Sequence, residues 1–268
     1  MAVEAERLSG DAWAPPWVRH EHMARYLFAC DVTVGRLVID CACGDGTSTR
    51  LLSKRSERVW GFDLAEAIVE KSRAANDDPN VSYGVADASA LPLPDGAANA
   101  YVSLETIEHL PDEVAFLDEV VRVLDRRDGI FVCSTPDRDV YSPGNGPTDQ
   151  PWNQFHLREY NASEFGALLR RFFEVVELYG QNPKSNAVTM AKHSLASRIS
   201  MPVMVRVNQA FKLPRLIHDS LDRHRVRPTV PGKRYEYLVA VCRTPIRGHG
   251  SNSGEAVNPA ARASSTAD

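Results

Sequence analysis

The segment from Val38 to Gly46 (Val-Ile-Asp-Cys-Ala-Cys-Gly-Asp-Gly) constrains this chain most, because a short β-branched apolar run breaks abruptly into a glycine-rich turn. Such a run, bounded by turn residues, reads as an interior strand. Glycine is needed where a backbone turns sharply and lies close to a ligand, and Gly44 and Gly46 meet that need. The same alternation then repeats. Strands are expected at 37–40, 58–62, 81–85, 98–104, 129–134, 173–178 and 235–241, with helices at 48–54, 65–75, 113–124 and 162–170. In the helix at 113–124, Val114, Leu117, Val121 and Leu124 share one face. Strands alternating with helices predict an α/β fold, a parallel sheet wound on both faces, with ligands received beyond the carboxyl ends of the strands.

Acidic residues arrive at those ends. Asp63 follows the loop by about 20 residues, where a carboxylate can accept both hydroxyls of a ribose. Asp87 follows the third strand, where a side chain reaches an adenine amino group. Any one of these acids could equally be a helix cap or a turn residue. Asp40, Asp63 and Asp87 in register with three strand ends are much rarer by chance. A nicotinamide-cofactor reading would want Gly-x-Gly-x-x-Gly spacing, but the glycines at 44 and 46 are followed by Thr47, Ser48 and Thr49.

On these residues the chain resembles the class I S-adenosylmethionine (SAM)-dependent methyltransferases, over about residues 20–181 and again at 234–243. Within that class it is similar to the type 11 methyltransferase domains and the ubiquinone-biosynthesis O-methyltransferases. Their first motif is acid-x-Gly-x-Gly-x-Gly, which here reads Asp40-Cys-Ala42-Cys-Gly44-Asp-Gly46, with Ala42 replacing the first glycine. The resemblance implies a Rossmann-like, doubly wound seven-stranded sheet, mostly parallel with the last strand antiparallel, and a helical insertion before that strand. It implies that Asp40 orders the loop or the methionine ammonium and that Ala42 and Gly44 pass the methionine part, with Gly46 closing the loop. Asp63 would hold the ribose, Leu64 would pack on adenine, Asp87 and Ala88 would bind its polar edge, and Leu104 would lie behind the sulfonium. The first helix of the class closes over the cofactor, which would bring Arg25 or Tyr26 to the methionine carboxylate.

The stretch Ser103-Leu-Glu105-Thr-Ile-Glu108-His109-Leu-Pro-Asp112 bears on mechanism. If it turns helical, Glu105, Glu108 and His109 share a face. Two carboxylates and an imidazole suit a hard divalent ion with open positions, such as Mg2+ or Mn2+. His156 would supply a fourth ligand. The arrangement resembles the Glu-x-x-Glu-His plus distant His site of the small-RNA 3′-end 2′-O-methyltransferases and of the ubiquinone-biosynthesis O-methyltransferases. An alternative needs no metal: His109 or His156 serves as general base, and Glu108 sits in a helix first turn. The segments 22–29 and 151–160 resemble a bacterial subgroup tied to surface polysaccharide and glycosylated natural products. The resemblance therefore implies O-methylation of a hydroxyl on a sugar-containing or small natural-product acceptor. RNA 2′-O-methylation and a non-catalytic SAM-binding scaffold are the alternatives.

The chain has 268 residues, a formal net charge of -4 and five cysteines. The acidic balance argues against nucleic acid as a partner. The cysteines, odd in number and set in apolar runs, read as reduced thiols of a cytoplasmic protein, and Cys41 and Cys43 lack a second pair to complete a zinc site. No apolar run is long enough to span a bilayer, and the N-terminus lacks a signal-peptide core. The core domain is expected over 16–181 plus 234–245, between a flexible 1–15 and a disordered 246–268. A basic helical insertion is expected over 182–233. Between Lys184 and Arg234 there are 11 Lys and Arg against Asp219 and Asp222, which leaves the rest of the chain at about -13. Interleaved apolar residues suit a lid over an acceptor, a homodimer contact or a peripheral membrane surface. The segregated charge points to an anionic or lipid-linked acceptor, or to a basic face docked on the chain's own acidic domain.

Overall fold

In the computed structural model, which describes residues 16–184 and 221–246, the alternation read from the sequence closes into one sheet with helices on both faces. Helix α1 (Pro16–Val32) precedes β1 (Leu37–Cys41), α2 (Thr47–Ser53), β2 (Arg58–Asp63), α3 (Glu66–Ala74), β3 (Val81–Val85) and β4 (Ala100–Leu104). A 3-10 turn (Ile107–His109), α4 (Glu113–Val123), β5 (Ile130–Pro136), α5 (Arg138–Tyr141), α6 (Ala162–Leu169) and β6 (Phe173–Lys184) follow. The described chain ends with a second 3-10 turn (Leu221–His224), β7 (Arg227–Pro228) and β8 (Arg234–Pro245).

The strand order is β3-β2-β1-β4-β5-β8-β6-β7. Strands β1 to β5 pair in parallel, and β8 inserts antiparallel between β5 and β6. The order reverses between β1 and β4, so the carboxyl ends of these two strands frame the crevice where such sheets take ligands. Strands β4 and β5 are buried along their whole lengths, as parallel strands covered on both faces must be. One face carries Phe116, Leu117 and Val120 of α4 and Phe165 and Leu169 of α6. The opposite face carries Tyr26 and Ala29 of α1, Leu52 of α2 and Val69 of α3.

Two helix starts are set locally. Asp112 accepts from the amides of Val114 and Ala115 at 3.0 and 2.9 Å. Asn161 and Glu164 form a reciprocal capping box.

The sheet has eight strands where seven were expected. The extra strand is the two-residue β7, antiparallel to Tyr179 and Gly180 of β6 and inside the segment expected to be helical. Strand β6 also runs six residues past the expected Leu178, to Lys184. Its last residues, Gly-Gln-Asn-Pro-Lys, carry no strand signal of their own. They are held because β8 offers a ladder as far as the Lys184–Arg234 pair. The bulk of the basic insertion, the 1–15 segment and the tail beyond 246 lie outside the described residues. No helix among the described residues is long and apolar enough to cross a membrane.

Gly46 is the most demanding position of the first loop. Its φ is +71°, and a Cβ there would stand 2.5 Å from the Tyr83 hydroxyl. Gly44 has φ +57° but open space around its Cβ position. Gly46→Ala is expected to cost about 2–4 kcal/mol of unfolding free energy and Gly44→Ala about 1–2, the difference being the clash, measured by urea denaturation.

Candidate active site

Three carboxylates organise the crevice. Asp40, at the end of β1, is fully buried and accepts from the Tyr26 hydroxyl at 3.0 Å and from Thr49 Oγ1 at 2.7 Å. It thus ties β1 to both α1 and α2. Burial in this apolar surrounding pushes its pKa up to about 7, against the opposing effect of the two hydrogen bonds. Asp63, at the end of β2, accepts from the amide of Gly44 at 3.1 Å and from that of Ala65 at 2.9 Å. One side chain therefore fixes the glycine loop and the start of α3. Asp87 lies beyond β3, exposed, and accepts from the amide and hydroxyl of Ser89 at 2.8 and 2.7 Å. These hydrogen bonds hold its carboxyl below the usual range, which keeps it an acceptor at neutral pH.

The loop between Asp40 and Asp63 uses left-handed backbone three times, at Ala42 (φ 60°), Gly44 and Gly46. Ala42 adopts at some cost the conformation a glycine would take freely. The open side of Gly44 is the place where a ligand can approach the backbone, while Gly46 faces Tyr83, whose hydroxyl donates to its carbonyl at 3.0 Å. Leu64 stands beside Asp63 and is 65% exposed, a large apolar side chain with nothing over it among the described residues. Ala88 is half-buried, and Leu104 is buried at the end of β4. Tyr26 is committed to Asp40. Arg25 is buried at 3% exposure, donates to Gln181 Oε1 at 2.5 Å and stacks over the Tyr237 ring at 4.1 Å.

After β4 the chain does not continue as the helix expected from Glu105. Glu105 takes φ +55°, and a single 3-10 turn follows. The left-handed residue turns the Glu105 carboxylate onto Ser134, whose hydroxyl donates at 2.6 Å, and toward Arg25 Nε at 3.8 Å. Glu108, His109 and His156 gather elsewhere, with one ligand atom from each within 4.8 Å of the others. Of the four residues expected to share an ion, three meet and Glu105 stands apart.

The ring orientations of the histidines are set by residues that sequence reasoning passed over. His109 Nδ1 faces the Phe155 carbonyl at 3.0 Å, an acceptor, so Nδ1 carries a proton. Its Nε2 stands 3.9 Å from Oε1 of Glu108, which is 1% exposed. His156 Nδ1 meets Glu159 Oε1 at 2.7 Å, and its Nε2 meets the Asn153 side-chain amide at 2.9 Å. The Asn153 amide is oriented because its Oδ1 accepts from the Phe155 amide at 3.1 Å. The available signal was the spacing of Glu159 three residues after His156.

Comparison with known proteins agrees with this architecture. Residues 39–133 match the family model described as Methyltransferase domain. This stretch, which holds the glycine loop and the acids that border it, is similar to the SAM-dependent methyltransferases. A Mycolicibacterium smegmatis protein named a probable S-adenosylmethionine-dependent methyltransferase is 38% identical over 165 residues, 61% of this chain and 62% of its own length. A ubiquinone/menaquinone biosynthesis C-methyltransferase of Caulobacter vibrioides is 35% identical over 120 residues, 41% of this chain and 47% of that protein. The chain thus spans less than two thirds of the curated relatives it matches. Among solved structures, a SAM-dependent methyltransferase of Thermotoga maritima superposes with a TM-score of 0.58 at 14% identity, covering 85% of this chain and 93% of that one. That likeness is one of fold.

The raised pKa of Asp40 has a consequence for the stability of the methyltransferase domain. Between the ordinary carboxyl value of 3.8 and about 7 the folded state holds a proton that the unfolded state has released. Its contribution is therefore full below pH 3.8 and is lost as pH rises through about 7. Asp40→Asn keeps partners for Tyr26 and Thr49 without the titration. Its melting temperature is expected to fall less than that of the wild type between pH 4 and pH 7.5, and parallel pH profiles would refute this assignment.

Proposed function

We propose that the chain transfers the methyl group of SAM to a hydroxyl of a sugar-containing or small natural-product acceptor, aided by a divalent ion, Mg2+ or Mn2+, at Glu108, His109 and His156. The observation that carries the ion is the convergence of Glu108, His109 and His156, with one ligand atom from each within 4.8 Å of the others. His109 Nε2 and the carboxylate of Glu108 approach to 3.9 Å in a place where Glu108 is almost fully buried. An imidazole nitrogen and a carboxylate oxygen at that separation suit two ligands of one cation. His156 would join by exchanging the Asn153 amide on its Nε2 for the ion, and Glu159 on its other nitrogen is the carboxylate–histidine pairing that orients metal-ligating imidazoles. An ion there supplies a Lewis acid that lowers the pKa of an acceptor hydroxyl.

For the cofactor, Gly44 offers an open backbone approach, Asp63 a carboxylate at the ribose position, Leu64 an uncovered apolar face for adenine, and Asp87 with Ala88 its polar edge. Ala42 borders the methionine end, Asp40 holds the loop from beneath, and Leu104 backs the sulfonium. Catalysis is then mainly placement: the residues hold the methyl carbon and the attacking oxygen in line, and a histidine nitrogen or a carboxylate takes the released proton. The excess of cations between Lys184 and Arg234 favours an anionic, glycan-bearing acceptor.

The test is transfer of a labelled SAM methyl to candidate glycans and phenols, before and after EDTA, with Mn2+ added back. Turnover is expected to fall on chelation and to return with Mn2+. Glu108→Ala is expected to abolish both Mn2+ binding and the EDTA effect. Glu159→Gln, which weakens only the support of His156, is expected to weaken Mn2+ binding about 10- to 100-fold. Undiminished turnover after chelation would sink the ion and leave methyl transfer standing. SAM binding with no transfer to any acceptor would favour a scaffold.

A further inference from the structure

The ion proposed above needs Nε2 of His156, and in this structure a side-chain amide occupies that nitrogen. The Glu159 carboxylate takes the other nitrogen, Nδ1, at 2.7 Å, so Nδ1 carries a proton and only Nε2 is left to ligate. Asn153 meets that Nε2 at 2.9 Å. The Asn153 oxygen Oδ1 accepts from the Phe155 amide at 3.1 Å, which turns the NH2 group toward His156 and makes Nε2 the acceptor. His156 is 4% exposed, so this bond is shielded from competing solvent. The same short turn also holds the second imidazole. The Phe155 carbonyl accepts from His109 Nδ1 at 3.0 Å, and the His156 amide donates to the Asn153 carbonyl at 3.2 Å. The two rings stand edge to face with centroids 5.0 Å apart. Asn153 thus touches one ligand nitrogen directly and, through Phe155, steadies the carbonyl that orients the other. An NH2 group has no lone pair for a cation, so the amide and an ion exclude each other at His156 Nε2.

We infer that Asn153 is a positioning residue for the ion, a placeholder that holds His156 in ligand geometry while the ion is away and leaves Nε2 when the ion binds. This inference rests on the ion reading above and gives control of its affinity to a residue that is not a ligand. The hydrogen bond from Asn153 exists only in the ion-free state, so breaking it weakens ion binding by the worth of that bond. In return the imidazole stays oriented, held on one nitrogen by Glu159 and on the other by Asn153. The released amide belongs to a turn whose neighbours Gln154 and Leu157 are exposed, so occupancy of the ion site is linked to the shape of a surface turn.

Mn2+ affinity, read from the paramagnetic resonance signal of the free ion during titration, tests the placeholder. Asn153→Ser keeps an oxygen for the Phe155 amide but is too short to reach His156 Nε2. It is expected to bind Mn2+ about 2- to 10-fold more tightly than the wild type, the worth of one neutral hydrogen bond. Asn153→Ala, which also gives up the Phe155 contact, is expected to shift in the same direction by less, and it carries the test if Asn153→Ser does not fold. Thermal melts supply a second readout. Without the ion Asn153→Ser is expected to melt below the wild type, and at saturating Mn2+ the two are expected to melt together, because the lost bond is absent from the loaded protein. A merely structural role lowers the melting temperature in both states with no gain in affinity, and that result overturns the placeholder. Weaker Mn2+ binding in Asn153→Ser overturns it too, since Asn153 then supports His156 in the loaded protein as Glu159 does. A wild-type protein that binds S-adenosylhomocysteine but no Mn2+ overturns the ion reading itself, and the placeholder with it.

Discussion

The buried carboxylate of Asp40 is the interaction on which the rest of this crevice depends. It sits at the carboxyl end of β1 with no exposure, and the hydroxyls of Tyr26 and Thr49 close on it from α1 and α2. A carboxyl group in that position is costly to ionise, yet it joins a strand and two helices through two side-chain hydrogen bonds. Asp63 repeats the device one strand over with backbone amides, joining β2, the glycine loop and α3. The loop itself contributes little stability. Its three left-handed residues are held because these carboxylates leave the backbone no other course.

From that frame the two charged groups after β4 separate for a backbone reason. A helical continuation would have stacked Glu105 over Glu108 and His109. The positive φ at Glu105 interrupts it and sends the carboxylate over β5 toward α1. Glu108 and His109 follow Ile107, which packs into the core on the face covered by α4 and α6. Glu105, turned toward α1, and the group of Glu108, His109 and His156 therefore lie apart after the β4 terminus.

Much of this was legible in the chain because it is local. The run Leu37 to Cys41 ending in glycines, the acids at 63 and 87, and the amphipathic pattern of α4 each follow from neighbours in sequence. Strand β3 falls at the expected Val81–Val85, and β2 and α3 differ from expectation by a residue or so at their ends. The ladder past Leu178 was not legible, since Gly180, Asn182 and Pro183 argue against a strand and only the partner β8 overrules them. Nor was β7, two residues long with no pattern to read.

The sequence by itself determined the alternating α/β order, the glycine loop and the acids that border it, because side-chain period and turn chemistry act over a few residues. Only the tertiary structure decided which charges meet. His156 reaches Glu108 and His109 because the loop after α5 folds back, with the amides of Leu157 and Arg158 donating to the Glu108 carbonyl at 2.8 and 3.2 Å. Glu105 meets Arg25 across 80 residues because the strand order places the ends of β4 and β5 beneath α1. Contacts between elements depend on topology and on single backbone angles, and neither leaves a trace in the spacing of residues along the chain.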